Sequence, residues 1–244
     1  MRLIASDMDG TFTLGELEER RDAVGRWQAA GNLFCIVSGR GLDGLPEALE
    51  KIQVTCDYYL AVNGAVLADS TGKILREQRC PGEWIREILD FLYAQGTLFC
   101  HIVQEDIKRV FSPTVEPHLP HISLEEGYAQ PFFYQISAVH KSDEDAARIA
   151  AELKKVFGDR INPLQNGICI DIVPAGMDKA QGIRTLLEYL KLPEEAVIAV
   201  GDNYNDLAML DAFYSYAIES GVEGVKAHAD RVTPNVIELI KAEM

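Results

Sequence analysis

The stretch Arg2-Leu3-Ile4-Ala5-Ser6-Asp7-Met8-Asp9-Gly10-Thr11 (residues 2–11, RLIASDMDGT) opens with the apolar run Arg2–Ser6, which ends on two carboxylates separated by one residue. A short uninterrupted apolar run of this kind has the character of a central parallel strand, covered on both faces. In an open parallel sheet, ligands bind beyond the carboxyl ends of the strands. Asp7 and Asp9 therefore stand where a site is expected. Their spacing puts both carboxylates on one side of an extended segment, with Met8 turned to the interior.

Two more apolar runs end in polar clusters: Leu33–Val37 at Ser38-Gly39-Arg40, and Val197–Val200 at Gly201-Asp202-Asn203-Tyr204-Asn205-Asp206. Gathered at one sheet edge, Asp7, Asp9, Asp202 and Asp206 repel one another unless a hard cation sits among them. An oxygen-only set without His or Cys suits Mg²⁺, which takes a few carboxylates and keeps room for waters and phosphate oxygens. Lys179, opening a helix, adds a second positive charge to offset the field met by an incoming phosphate.

Between these clusters, Glu16–Ala30 reads as an amphipathic helix stopped at Gly31-Asn32. A further helix is expected over Pro46–Ile52, a strand over Tyr58–Val62, and a turn at Asn63-Gly64 into Ala65–Leu67. Past Cys80-Pro81-Gly82 the rhythm changes: a helix over Glu83–Gln95, strands over Leu98–Val103 and Lys108–Phe111, then a loop holding Pro113, Pro117 and Pro120. A strand over Phe132–Val139, a helix over Asp143–Phe157 capped by Ser142, and short strands at Arg160–Asn162 and Ile168–Val173 complete an α+β module with one antiparallel sheet. From Lys179 the βα alternation resumes, with a helix to Lys191 and strands over Val197–Val200, Tyr214–Ile218 and Asp230–Val232. The pattern predicts a doubly wound, Rossmann-like α/β core of residues 1–80 and 175–244, carrying an inserted α+β cap of residues 81–174.

Composition narrows the class of partner. The 244 residues carry a formal net charge of −15, which opposes binding to a phosphate backbone and so argues against nucleic acid. No apolar stretch approaches the roughly 20 residues of a membrane span. Asp7 lies too near Met1 for a cleavable leader, so a cytoplasmic location is expected. The five cysteines, Cys35, Cys56, Cys80, Cys100 and Cys169, are widely spaced and odd in number, which fits unbridged thiols in a reducing compartment.

In their order, DMDGT at 7–11, SGR at 38–40, MDK at 177–179 and GDNYND at 201–206 resemble the four motifs of the haloacid dehalogenase superfamily, specifically its phosphatases. An α/β insert between the second and third motifs is similar to the Cof-like branch with a type II cap. The resemblance implies that Asp7 is the nucleophile and forms an aspartyl-phosphate. Asp9 would be the acid and base for the leaving group and water, and Lys179 would screen Asp7 and stabilise transition-state charge. It further implies Mg²⁺ held by the Asp7 carboxylate, the Asp9 carbonyl, Asp202 and Asp206. Ser38, the Gly39 amide and Asn205 would hold the phosphoryl group. Ala180 follows Lys179 where the family commonly has glycine.

The implied activity is hydrolysis of a small phosphomonoester, a sugar phosphate or another phosphorylated metabolite, with the cap choosing the leaving group. Phosphoglycolate hydrolysis, a phosphomutase and a non-catalytic phospho-accepting switch are the alternatives. Some residues stay open on sequence alone. Asn63-Gly64 is either an ordinary turn or part of the site lining, and Arg40 is either a partner of the carboxylates or a surface residue. His118 and His121 are either exposed loop residues or substrate contacts.

Overall fold

The apolar run at the amino terminus forms β1 (Leu3–Ser6), every residue of it buried. A computed structural model of the chain describes residues 1–41, 53–110 and 121–244. The helix expected over Pro46–Ile52 and the loop of Pro113, Pro117, His118 and Pro120 lie outside these residues. The described residues divide into two compact units, Met1–Glu77 with Asp178–Met244, and Gln78–Met177.

After β1 the chain makes a tight turn over Met8–Phe12 and enters α1 (Leu17–Ala29), which buries Arg20, Ala23, Val24 and Trp27. Next come β2 (Leu33–Val37), β3 (Tyr58–Ala61), a turn over Val62–Gly64, β4 (Val66–Asp69) and β5 (Ile74–Glu77). The second unit contains β6 (Cys80–Pro81), α2 (Ile85–Ala94), β7 (Phe99–Val103), β8 (Ile107–Val110) and α3 (Leu124–Tyr128). It continues with β9 (Phe132–Phe133), β10 (Gln135–Val139), α4 (Asp143–Phe157), β11 (Ile161–Asn166) and β12 (Cys169–Pro174). The chain then returns to the first unit through α5 (Lys179–Leu190), β13 (Val197–Gly201), α6 (Leu207–Ala212), β14 (Tyr214–Ile218), α7 (Glu223–Lys226), β15 (Arg231–Thr233) and α8 (Val236–Glu243).

The first unit is built on an eight-stranded sheet of order β15-β14-β13-β1-β2-β3-β4-β5. Its strands are parallel from β15 to β3, and β4 and β5 add an antiparallel edge. Strand order reverses on either side of β1, so the crevice of a doubly wound sheet opens at the ends of β1 and β13. Leu3, Ala5, Cys35, Val37, Val197 and Ala199 alternate onto one face and pack with Ile183 and Leu186 of α5 and with Met209 and Leu210 of α6. Asp7 continues the parity of Leu3 and Ala5, toward the helix that begins with Lys179. The helix α8, absent from the sequence reading, is capped where the Glu238 amide donates to Asn235 Oδ1 at 3.0 Å. Arg2 bonds its Glu243 at 2.7 Å and so ties the two ends of the chain together.

The second unit is a five-stranded antiparallel sheet, β11-β12-β10-β7-β8, beside the short β6-β9 ladder. Its helices α2 and α4 bury Ile85, Ile88, Leu89 and Leu92, and Ile149, Leu153 and Phe157, against Ile102, Ile136, Ile170 and Ile172. The helix α4 starts at Ser142, whose hydroxyl accepts from the Asp145 amide at 3.2 Å. The single strand expected over Phe132–Val139 is two. Phe133 pairs with Cys80, and beyond Tyr134 the chain joins β7 through Gln135 and Val103, a change of partner that no local residue pattern marks.

Candidate active site

The parallel register of β1 carries Asp7, Ser38 and Asp202 to one edge of the sheet: Ser6 lies beside Ile36 on one side and Val200 on the other. The helix α5 begins there because Asp178 caps it, accepting from the Gln181 amide at 2.8 Å, and the next residue is Lys179. The Lys179 side chain is 0% exposed. Its Nζ donates to Asp7 Oδ1 at 2.6 Å and to Asp206 Oδ1 at 2.5 Å. The other oxygen of Asp206 accepts from the amides of Asp202 at 2.9 Å and Asn203 at 3.0 Å, which folds the loop after β13 around a buried carboxylate. The Thr11 hydroxyl donates to Asp202 Oδ1 at 2.6 Å.

Two glycines permit this density. A Cβ at Gly201 would lie 2.4 Å from Asp206 Cγ, and one at Gly10 would lie 2.6 Å from Asp202 Oδ2. Gly10 also has φ +79°, where a side chain is strained.

Electrostatically the site is overloaded with negative charge. Carboxylate oxygens of Asp7, Asp202 and Asp206 lie within 4.8 Å of one another. Burial pushes the Asp7 carboxyl well above its ordinary range, with Lys179 pulling the other way and Asp206 adding to the rise. Asp202 is raised by burial too, against the bond from Thr11. Burial disfavours the Lys179 ammonium, but Asp206 and Asp7 more than offset it and hold the group charged. One ammonium facing three carboxylates leaves a surplus that suits a divalent cation, and the all-oxygen donor set fits Mg²⁺.

The remaining residues singled out by sequence lie around this cluster. Asp9 does not join it. Its side chain is 55% exposed, and both its oxygens accept from Arg40, from Nε and from NH2, each at 2.7 Å. Arg40 is thus a partner of one carboxylate of the pair. Ser38 is buried, and its hydroxyl accepts from the Arg40 amide at 3.2 Å; Gly39 lies between them. Asn205 is buried, and its Nδ2 donates to Asn63 Oδ1 at 3.4 Å. The role of Thr11 in holding Asp202, and the link from Asn63 to Asn205, are the features that sequence reasoning missed. The only trace of them was the threonine after Gly10 and an Asn-Gly pair closing a parallel strand.

The haloacid dehalogenase-like hydrolase family model matches residues 4–238. Among curated proteins, the chain is 25% identical to the 5-amino-6-(5-phospho-D-ribitylamino)uracil phosphatase YitU of Bacillus subtilis, over 95% of this chain and 91% of that protein. It is 26% identical to the phosphatase YcsE of the same organism, named for the same substrate, over 98% and 92%. The structure of SMU.1108c from Streptococcus mutans shares the fold, with a TM-score of 0.87 at 21% identity over 99% of this chain and 98% of that one. The buried lysine and carboxylate cluster at the switch point of the sheet, the inserted second unit and the match along nearly the whole chain lead to one conclusion: the chain belongs to the haloacid dehalogenase-like hydrolases, among relatives named as phosphatases.

Proposed function

We propose that the protein is a Mg²⁺-dependent phosphatase that hydrolyses a small phosphomonoester through an aspartyl-phosphate on Asp7, acting in the cytoplasm. The observation that carries this reading is Asp7 itself, a buried carboxylate held by Lys179 at 2.6 Å and crowded by Asp202 and Asp206. Such a group is costly to keep unless it reacts or binds a cation. The carboxylates of Asp7, Asp202 and Asp206, with the Asp9 carbonyl, would hold Mg²⁺, which when bound supplies positive charge to the acidic cluster and to phosphoryl oxygens.

The Asp7 carboxylate attacks phosphorus in line, forming the acyl-phosphate O–P bond as the ester P–O bond breaks. Asp9 protonates the departing oxygen and later takes a proton from the water that cleaves the phosphoryl group from Asp7. Its bond to Arg40 is exposed on both sides, so it is worth only about 0–1 kcal/mol and gives way readily when a leaving-group oxygen arrives. Ser38, the Gly39 amide and Asn205 donate to the phosphoryl oxygens, and Lys179 stabilises the charge on them.

The unit Gln78–Met177 is proposed as the cap that chooses the leaving group. Two relatives named for a phosphoribityl substrate support a primary phosphate on a polyhydroxylated chain, the sugar-phosphate class. Five unbridged cysteines accord with a reducing cytoplasm, and no helix among the described residues is long and apolar enough to cross a membrane. The test is phosphate release from sugar phosphates, ribityl phosphates, phosphoglycolate and an aryl phosphate, with Mg²⁺ or with chelator. Turnover that is metal-dependent and highest on a polyhydroxylated phosphate is expected; metal-independent turnover, or none on any member, contradicts the proposal.

A further inference from the structure

Three consecutive residues at the carboxyl end of β3 have positive φ: Val62 at +55°, Asn63 at +51° and Gly64 at +94°. Glycine adopts this region freely and asparagine at small cost, whereas a β-branched valine there is a true outlier. Such strain persists only where the surroundings over-determine it, and it gathers at functional sites.

The surroundings here are all parts of the site. The Val62 amide donates to the Arg40 carbonyl and the Asn63 amide to the Ser38 carbonyl, each at 2.9 Å. Gly64 is pressed against the start of α5, where a Cβ would lie 2.6 Å from the Asp178 carbonyl and 2.9 Å from Gly182 Cα. The fully buried Asn63 side chain accepts from Asn205 Nδ2 at 3.4 Å. One strained turn therefore touches the loop of Ser38, the helix start of Lys179, and Asn205.

An asparagine amide has two faces, and only its N–H side suits a phosphoryl oxygen; its carbonyl side repels one. An acceptor behind Asn205 Nδ2 decides which way that amide lies. We propose that Asn63 is a positioning residue for phosphoryl binding: it fixes the Asn205 amide with an N–H toward the phosphoryl oxygens, while its own backbone N–H sets the Ser38 loop. This rests on the phosphatase reading for the role of Asn205. The bond is long at 3.4 Å, and hydrogen bonds in active sites commonly tighten only when ligand fills the site.

Calorimetry of inorganic phosphate binding in Mg²⁺ tests it without requiring turnover. Asn63→Gly keeps the positive φ and the backbone bond to Ser38 and removes only the side chain. Asn63→Asp keeps an acceptor. In the wild type and in Asn63→Asp, adding Asn205→Ala is expected to weaken phosphate binding about tenfold, the scale of a hydrogen bond to a charged group. In Asn63→Gly, already weakened about tenfold, Asn205→Ala is expected to add less than about twofold, since coupled residues do not add. Equal effects of Asn205→Ala in all three backgrounds, or an unweakened Asn63→Gly, overturn the inference. Intact phosphate binding without wild-type turnover contradicts the phosphatase reading alone, and absent phosphate binding contradicts both.

Discussion

At the scale of single residues, the centre of the molecule is Lys179, fully buried between Asp7 and Asp206. Removing one partner from a buried ionic cluster strands charge without solvent, at a cost of about 3–5 kcal/mol. Lys179→Met is accordingly expected to abolish activity and to lower unfolding free energy by about that amount in chelator, part of which Mg²⁺ restores. Urea unfolding with and without Mg²⁺ measures it, and equal losses in both conditions contradict the charge argument. These residues could be read from the sequence because each follows a strand or opens a helix, where chain geometry leaves little freedom. The pairing of Asp9 with Arg40 was one of two readings left open, because exposed side chains choose partners by three-dimensional proximity. Asn63 was undecided for a related reason: an Asn-Gly pair closes ordinary turns as well as this one, and only its burial beside Asn205 distinguishes it.

Among elements, α5 and the turn after β3 approach each other closely. A Cβ at Gly182 would lie 2.5 Å from Gly64 Cα. Glycine to alanine within an exposed helix gains about 1 kcal/mol, but at this contact Gly182→Ala overpacks and is expected to cost about 1–3 kcal/mol. Thermal unfolding several degrees lower than wild type is the expected result; a rise in midpoint shows that the helix can move away. In the second unit, His140 is buried, with Nε2 3.0 Å from the Thr97 hydroxyl and Nδ1 3.3 Å from the Ile168 carbonyl. Burial holds its pKa below the ordinary 6.5. The unfolded chain therefore takes up the proton first, and the contribution of His140 to stability is present above about pH 6.5 and lost as pH falls. Between pH 7 and pH 5 the wild-type unfolding midpoint is expected to fall further, or rise less, than that of His140→Gln; parallel slopes contradict this. The sequence carried the parallel strands clearly, as unbroken apolar runs. It did not carry the switch of partner between β9 and β10, which depends on Cys80, a residue about fifty positions earlier.

For the whole molecule, a chain of net charge −15 places a cluster of three carboxylates at the switch point of its main sheet. Burial raises the carboxyl pKa values of Asp7 and Asp202, which favours bound protons there in the metal-free fold. The associated stability is full below the ordinary carboxylate range and is withdrawn as pH rises through the folded values. A divalent cation replaces those protons, so the rise in unfolding midpoint on adding Mg²⁺ is expected to be larger at pH 7 than at pH 5. By mass action the stabilisation by the cation reaches about 2.7 kcal/mol at a hundredfold excess over Kd. Scanning calorimetry at the two pH values decides it; a larger shift at pH 5 contradicts the assignment of the cluster. The doubly wound core with its α+β insert was legible from the rhythm of elements alone, while the residues of the insert carry no comparable motif and left the substrate open. The most direct test of the account is phosphate release by the wild type and by Asp7→Asn, in Mg²⁺, with thermal unfolding as the check on folding. The account predicts a folded Asp7→Asn protein slower by at least about a thousandfold, as for loss of a catalytic nucleophile. A folded variant turning over within about tenfold of the wild type would contradict it, since Asp7 would then not be the group that receives the phosphoryl.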